Sequence, residues 1–172
     1  MISDLHFIAY DPAWPARYSA LQKALKGALP DGATVEHEHV GSTAVPGLSA
    51  KDCIDLLVIV SPEDLASTAA GLQELGYEER PRSFAGDPAR WFWRLIIDEQ
   101  RYAHAHLMLE GHPAARQMVA VRDLLRRDAA WRDDYQRLKA SLAATDEHDR
   151  PAYLAGKAEF VRQMTSAAMA SR

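Results

Sequence analysis

The chain has 172 residues, 48% hydrophobic and 26% charged, a composition typical of a globular protein that can bury a substantial core. Twenty basic and 24 acidic side chains give a formal net charge of −4, which argues against broad binding to nucleic acid or to an anionic membrane. This charge balance still allows a small basic pocket that binds a phosphate.

A single cysteine, Cys53, excludes an intrachain disulfide and a cysteine zinc cluster. It lies in an apolar run, so we expect a core residue rather than a nucleophile. The N-terminal residues lack the basic start and apolar stretch of a signal peptide, and no apolar run approaches the roughly 20 residues that span a bilayer. We therefore expect a cytoplasmic protein with no membrane partner.

The first part of the chain predicts a short strand, a helix and a second strand. Leu5–Tyr10 is a short apolar-rich segment. Asp11 and Pro12 then begin a helix as its N-cap and first residue, and Gly27 ends it. Thr34–Val40 alternates in polarity, which predicts a strand with a polar side.

The run Cys53–Val60 is apolar except for Asp55 and predicts the central strand of the sheet, covered on both faces. Ser61 is expected to cap the helix that follows, which ends at Gly76. An ionised carboxylate inside an apolar strand is costly unless it is paired, hydrogen-bonded or bound to a metal. Asp55 is therefore the first candidate functional residue.

The second half of the chain predicts three more strands and then helices. Tyr77–Arg82 is a candidate strand, and Trp91–Ile97 and Tyr102–Leu109 predict a hairpin. From Ala114 the chain is helical in period, and the last helix is expected over Pro151–Met164.

No internal repeat, low-complexity tract or linker divides the sequence. We therefore predict one domain over residues 1–172. Its sheet-containing core covers about 1–112 and its helical part about 113–172.

The first feature that could carry chemistry is the Gly41-Ser42 pair, which we call the Gly41–Ser42 turn. Glycine lets the backbone approach a ligand closely, and backbone N–H groups with the Ser42 and Thr43 hydroxyls could cradle a phosphate. Together with Asp55 on the next strand, the turn would bring a Mg²⁺ ligand close to hydrogen-bond donors that bind phosphate. His39, just before the turn, is a further candidate for the same cleft.

The second feature is a pair of histidines, His104 and His106, on one predicted strand. Residues two apart lie about 6.6 Å apart on one face of a strand. They could flank an ion or a phosphate, or act as acid and base near neutral pH. The open alternative is a pair of partly exposed histidines without a ligand. Arg94 and Lys51 could hold a triphosphate, and either could equally be a surface charge.

Two nucleotide-binding motifs are missing from the sequence. There is no GxxxxGK[ST], which argues against a P-loop kinase, and no GxGxxG, so no organic cofactor is indicated. The sequence around Ser42 also lacks a nucleophile elbow, which argues against a Ser/His hydrolase.

The stretch from His39 to Asp55, HVGSTAVPGLSAKDCID, resembles the signature of the GrpB family. Three further motifs match it: Tyr10-Asp11-Pro12-x-Trp14, His104-x-His106-Leu107, and a late segment with Tyr153, Lys157, Phe160 and Val161. The similarity covers nearly the whole chain. A similar domain occurs fused to some bacterial dephospho-CoA kinases.

GrpB proteins are grouped with the nucleotidyltransferase superfamily. The resemblance therefore implies an α+β fold, a nucleotidyltransferase-like mixed β-sheet flanked by helices, with a helical C-terminal part. In that superfamily a Gly-Ser turn holds the triphosphate, and carboxylates on two strands hold two Mg²⁺ ions. Gly41, Ser42 and Asp55 match this pattern, but the second carboxylate position is Leu57. Histidines stand on the strand that would carry the third carboxylate.

The resemblance implies a metal-dependent nucleotidyltransferase that moves a nucleoside monophosphate from an NTP to an unknown acceptor. Asp55, His104 and His106 would be its catalytic and metal-binding residues, with Mg²⁺ or Mn²⁺ as the ion. The expected partner is a nucleotide or another phosphorylated small molecule, and no nucleic acid. Leu57 favours the alternative of a domain that binds such a ligand without turnover. A third alternative is a partner-binding role for the helical part.

Overall fold

The computed structural model describes residues 6–144 and 150–170, which form one five-stranded mixed sheet and five helices. The strands are β1 (Val35–Val40), β2 (Ile54–Val60), β3 (Glu78–Glu79), β4 (Arg90–Ile97) and β5 (Gln100–Leu109). The helices are α1 (Trp14–Gly27), α2 (Leu65–Glu74), α3 (Pro113–Arg127), α4 (Ala129–Ala143) and α5 (Arg150–Ala170). A short 3-10 turn covers Ser42–Ala44.

The spatial order of the strands is β1-β2-β5-β4-β3, and only β2 and β5 run parallel. The β4–β5 hairpin turns through two residues, Asp98 and Glu99, whose φ angles are 50° and 62°. Two left-handed residues give a turn whose twist matches that of the flanking strands. The hairpin therefore delivers β5 to the middle of the sheet, beside β2.

The two faces of the sheet have different coverings. One face packs against α1 and α2 and carries the largest buried cluster, which includes Trp14, Leu56 and Leu107. The opposite face, which we call the Asp55 face, carries Asp55 and every second residue on each side of it. Helix α3 covers part of this face, where Ala115 packs with Leu57. The rest of the Asp55 face can hold a site.

A third cluster joins the helical part to the segment that follows β1. Val45 and Leu48 are fully buried and pack with α3, α4 and α5 through Leu124, Tyr135 and Met164. The segment between the Gly41–Ser42 turn and β2 is therefore fixed between the sheet and the helices.

The predicted α+β class, with a mixed sheet flanked by helices and a helical C-terminal part, is confirmed. The last helix was expected over Pro151–Met164 and extends from Arg150 to Ala170. The run around Asp55 is a strand buried on both faces, as predicted, with Leu56 1% and Leu57 0% exposed. It is the second strand of the sheet rather than the central one, because β5 inserts between β2 and β4.

Four local predictions differ from the structure in the extent of elements. Residues 6–10 form one isolated bridge, Ile8 to Ala50, rather than a strand, because Ala50 lies in a loop; Leu5 lies outside the described residues. Helix α1 begins at Trp14 rather than Pro12, since Asp11 accepts the Ala13 N–H at 2.8 Å and stabilises a turn before the helix.

The other two differences concern the start of α2 and the length of β3. Ser61 accepts the Asp64 N–H at 3.3 Å, so it stabilises a turn and α2 begins only at Leu65. The strand predicted over Tyr77–Arg82 is limited to Glu78–Glu79, because the chain then leaves the sheet edge as a loop. No helix within the described ranges is both long and apolar enough to cross a bilayer.

Candidate functional site

Asp55, His104 and His106 meet on the Asp55 face, and we call them the Asp55 cluster. Parallel pairing of β2 with β5 sets Asp55 beside His104 and Leu57 beside His106. Asp55 Oδ1 lies 3.1 Å from Nδ1 of His104 and 3.7 Å from Nε2 of His106. The shorter distance is a hydrogen bond, and the longer one is an electrostatic contact.

Asp55 is held in its ionised form within the cluster. Burial by itself raises the pKa of Asp55, but interactions with His104 and His106 outweigh burial and hold that pKa below its ordinary value. An ionised carboxylate can only accept hydrogen bonds. Nδ1 of His104 must therefore carry the proton in this hydrogen bond, which leaves the lone pair of neutral His104 on Nε2.

The second oxygen of Asp55 lies against the backbone of Gly41. The φ angle of Gly41 is +74°, and a Cβ added there would overlap Oδ2 and lie 3.0 Å from Cγ of Asp55. Glycine adopts this backbone region without strain and leaves room for the carboxylate. The carboxylate of Asp55 therefore bridges the Gly41–Ser42 turn on one side and the two histidines on the other.

Ser42 is half-buried at this turn, and a lysine from the helical part approaches its hydroxyl. Nζ of Lys139, in α4, lies 3.4 Å from Oγ of Ser42 and also donates to the carbonyl of Ser49. The ammonium group lies 4.8 Å from the ring centroid of Tyr135. These contacts bring the Lys139 amine to the Ser42 hydroxyl, which the sequence analysis proposed as a hydrogen-bond donor to a phosphate.

Lys139 was not among the residues proposed from the sequence. It is 2% exposed, and burial, together with the nearby charge of Lys157, lowers its pKa to about 7. Its position gave a usable signal, since it follows Tyr135 by four residues and so lies on the apolar face of α4. A lysine at a core-facing helical position is unusual enough to single out.

Two residues proposed for the cleft lie elsewhere. His39 pairs with Leu56 on the sheet face opposite Asp55, where its ring stacks on Tyr18 with centroids 4.7 Å apart. Thr43 is 1% exposed, and its Oγ1 lies 3.0 Å from Nε2 of His39. Alternation along β1 directs His39 away from the Asp55 face. The contact between His39 and Thr43 therefore stabilises the Gly41–Ser42 turn from the opposite face of the sheet.

Arg94 and Lys51 are placed differently from each other. Arg94 lies on the Asp55 face beside His104, and its guanidinium forms an ion pair with Glu78 at 3.1 Å. Lys51 is half-buried in the loop between Ala50 and β2. Arg94 is thus brought to the edge of the Asp55 cluster, while a phosphate contact by Lys51 stays a prediction.

Two arginines of α3 hold the chain around the Gly41–Ser42 turn. Arg122 is 8% exposed, pairs with Glu38 and donates to the carbonyl of His39 at 3.0 Å. Nε of Arg126 donates to the carbonyl of Ala44 at 2.8 Å. Because the two bonds lie on either side of the turn, helix docking fixes the backbone that lies against Asp55.

The two-ion site implied by the resemblance does not fit these residues. Leu57, at the second carboxylate position, is 0% exposed and packs with Val40, Met108 and Ala115. Within residues 6–144 and 150–170, no group of three or more His, Cys, Asp or Glu side chains is arranged to hold a metal ion. Asp55 is instead hydrogen-bonded to His104.

The fold and the site define an α+β protein in which a glycine–serine turn faces a carboxylate–imidazole cluster. Residues 5–167 match the family model described as GrpB protein, so the chain belongs to the GrpB family. The resemblance seen in the sequence motifs is confirmed.

Relatives with known sequences or structures support this assignment. The chain is 30% identical to UPF0157 protein BH1888 of Halalkalibacterium halodurans over 170 residues, which cover 98% of this chain and 85% of that protein. It is 34% identical to UPF0157 protein SCO7215 of Streptomyces coelicolor over 166 residues, which cover 95% and 83%. The crystal structure of the conserved protein GrpB from Enterococcus faecalis has a TM-score of 0.80 at 28% identity, over 96% of this chain and 98% of that one.

Cid1 poly(U) polymerase with bound MgGTP is a weaker structural match. The TM-score is 0.46 at 17% identity, over 73% of this chain and 41% of the polymerase chain. A likeness at this level carries no conclusion about activity.

Proposed function

We propose that this protein is a nucleotidyltransferase that moves a nucleoside monophosphate from an NTP to a small acceptor. The observation that carries the proposal is the contact of the Asp55 cluster with the Gly41–Ser42 turn. The exposed backbone of Gly41 and the hydroxyl of Ser42 would bind phosphate oxygens. In its protonated form, Lys139 would add positive charge at Ser42, where the negative charge of a triphosphate needs compensation.

The proposed reaction needs a general base close to the hydroxyl group of the acceptor substrate. The acceptor's hydroxyl oxygen attacks the α-phosphorus of the NTP, and the bond to pyrophosphate breaks with its electron pair leaving on pyrophosphate. The hydroxyl proton passes to Nε2 of His104. Asp55 fixes the tautomer of His104 through Nδ1 and stabilises the imidazolium that forms.

The donor atoms of the cluster decide which ion could assist. One carboxylate and two imidazoles suit Mn²⁺ better than Mg²⁺, which prefers oxygen ligands. No group of three such side chains is arranged to hold an ion among the described residues, so an ion held by Asp55, His104 and His106 would need them to move. It would also replace the hydrogen bond by which Asp55 orients His104 as the base. When bound, the ion would neutralise charge on the phosphates.

A second candidate function is nucleotide or phosphate-ligand binding without turnover. The specific observation in its favour is the buried apolar side chain of Leu57 where active members of the superfamily are expected to carry a carboxylate. A site with one carboxylate has less charge to hold two metal ions, while the Gly41–Ser42 turn could still bind phosphate.

One set of measurements separates these functions. Isothermal titration with ATP, CTP, GTP and UTP, with Mg²⁺ or Mn²⁺, measures binding to the wild type and to Asp55→Asn. The same proteins are then incubated with α-labelled NTP and a deproteinised cell extract as the source of acceptors. Asp133→Asn is the matched control, because its carboxylate lies on the exposed surface of α4.

For the enzyme we expect label transfer by the wild type and Asp133→Asn, and a loss of about 100-fold or more in Asp55→Asn. Nucleotide binding with no transfer by any protein would favour the second function. A wild type that binds no nucleotide with either ion would contradict both.

A further inference from the structure

A small cavity lies beside the Asp55 cluster, at the edge of the sheet where the chain leaves β3. Its volume is about 180 Å³, and residues from the loop after β3 and from β4 line it. The lining residues used below are Arg80, Phe84, Asp87, Arg90 and Phe92. We call this cavity the Arg90 pocket. Its volume lies below the roughly 300–1,000 Å³ of sites for drug-sized ligands, so it suits a small group.

Phe92 forms a wall common to the Arg90 pocket and the Asp55 cluster. Its ring centroid lies 4.9 Å from that of His104, 5.1 Å from that of His106 and 6.1 Å from that of Phe84. Strand order puts β4 on the far side of β5 from β2. The Asp55 cluster therefore lies between the Gly41–Ser42 turn on one side and the pocket on the other.

Arg90 lines this pocket and has a hydrogen-bond donor that is not used. Its guanidinium carbon lies 3.6 Å from the ring centroid of Phe84, which holds the group over the aromatic face. Its Nε–H is buried and has no hydrogen-bond partner among the residues that the structure describes. A buried N–H without an acceptor is costly, and an anionic oxygen from a ligand would satisfy it.

Asp87, which lines the pocket together with a second carboxylate from Glu79, is already engaged by other donors. Oδ1 of Asp87 accepts the Ala89 N–H at 3.1 Å, and Oδ2 lies 2.9 Å from Nε2 of His112. Nδ1 of His112 accepts the Ala114 N–H at 3.2 Å, so its Nε2 is the nitrogen that donates to Asp87. Asp87 therefore forms part of the pocket wall but does not accept a hydrogen bond from the Nε–H of Arg90. Arg80 supplies a second cation to the lining.

We propose that the Arg90 pocket binds the carboxylate or phosphate of the acceptor substrate, with the acceptor's apolar body against Phe84 and Phe92. This inference rests on the proposed nucleotidyltransferase function and assigns the acceptor's chemical class. The acceptor carries an anion at one end and a hydroxyl at the other. Its chain crosses Phe92 so that the hydroxyl reaches His104, opposite the phosphates at the Gly41–Ser42 turn.

The test titrates the full chain with benzoate, phenyl phosphate and benzyl alcohol, without nucleotide or metal. Two-dimensional ¹H–¹⁵N spectra follow the arginine Nε–H signals and the backbone of residues 80–92. We expect saturable binding of an anion, shifts confined to the pocket, and no saturable binding of benzyl alcohol. The tighter of the two anions identifies the acceptor's group as a carboxylate or a phosphate.

Three variants make the test specific. We expect Arg90→Gln to bind the anion at least 10-fold more weakly, and Arg90→Lys, which keeps the charge but loses Nε–H, to lie between. Arg82→Gln, an exposed change in the same loop, should match the wild type. Spectra of each variant verify its fold. Equal affinity in Arg90→Gln and the wild type, or no saturable anion binding, would overturn the proposal.

Asp55→Asn separates this inference from the function on which it rests. Because Asp55 lies outside the pocket, we expect the Asp55→Asn protein to bind benzoate or phenyl phosphate like the wild type while losing nucleotide transfer. Anion binding with no nucleotide binding by the wild type would overturn the proposed function and the acceptor role with it. Nucleotide transfer with no anion binding would overturn the pocket alone.

Discussion

Gly41 and Asp55 are in such close contact that a side chain at position 41 would force the carboxylate of Asp55 to move. A Cβ there would overlap Oδ2 of Asp55 and lie 3.1 Å from its Cβ. This contact joins the turn after β1 to the carboxylate of β2, and it sets the distance between the two halves of the candidate site.

Gly41→Ala should therefore be more harmful than another glycine change at a similar backbone angle. Gly47 has a φ of +81° and nothing within 4 Å of an added Cβ, so Gly47→Ala is a matched control for backbone strain alone. We expect Gly47→Ala to lower the free energy of unfolding by about 1 kcal/mol and Gly41→Ala by about 3 kcal/mol. Urea denaturation measures both, and equal losses would contradict the contact.

Leu57→Asp should not restore a two-ion site. It would put a carboxylate among the apolar side chains that pack against Leu57, between the like charge of Glu38 on β1 and the imidazole of His106 on β5. We expect the free energy of unfolding to fall by about 3–5 kcal/mol, against less than about 1.5 kcal/mol for the control Leu57→Met. Thermal unfolding with and without Mn²⁺ checks this. A folded Leu57→Asp protein that Mn²⁺ stabilises more than the wild type would show that the position accepts a ligand.

His39 should make the protein less stable in mild acid. It is 8% exposed, and burial lowers its pKa to about 4, with the charges of Arg122 and Arg126 adding to the effect and that of Asp55 opposing it. Below the ordinary value of 6.5 the unfolded chain binds this proton and the folded chain does not. The free energy of unfolding should therefore fall as pH falls, by about 2 kcal/mol between pH 6.5 and 5 from this residue.

His39→Phe keeps a ring against Tyr18 and removes the titration. Its free energy of unfolding should depend less on pH between 6.5 and 5 than that of the wild type, measured by urea denaturation at each pH. His6→Gln, a change of an exposed histidine, should keep the wild-type slope. A His39→Phe slope equal to that of the wild type would contradict the assignment.

Lys139 should give a pH dependence of the same sign above neutral pH. Its pKa is lowered to about 7 by burial, so between pH 7 and its ordinary value of 10.5 the unfolded chain binds the proton and the folded chain releases it. The free energy of unfolding should therefore rise with pH, by about 1 kcal/mol per unit between pH 7 and 8.5. Lys139→Met should lose this slope, whereas Lys23→Met, at an exposed position of α1, should keep it. Chemical denaturation at four pH values measures the slopes, and a retained slope in Lys139→Met would contradict burial of the charged form.

Local sequence patterns were enough to predict the strands and the turn that carry the Asp55 cluster. A two-residue period places His104 and His106 on one face, and the apolar run around Asp55 predicts a buried strand. Both signals depend on neighbouring residues only. Helices α1 and α2 begin later than predicted, because Asp11 and Ser61 accept N–H groups in turns before the helices. Asp and Ser side chains can stabilise either a turn or the first turn of a helix, so the sequence does not distinguish the two.

Local patterns predicted the Gly41–Ser42 turn and the buried strand around Asp55. The long motif that resembles the GrpB signature implied the fold class and the family, and such a motif is read from neighbouring residues. The tertiary structure pairs β2 with β5 in parallel, which brings Asp55 to His104 across 49 residues of chain and could not be read from local patterns. It also directed His39 away from the site and brought Lys139 to Ser42. These relationships depend on which surfaces pack together, and packing joins residues whose distance along the chain gives no local signal.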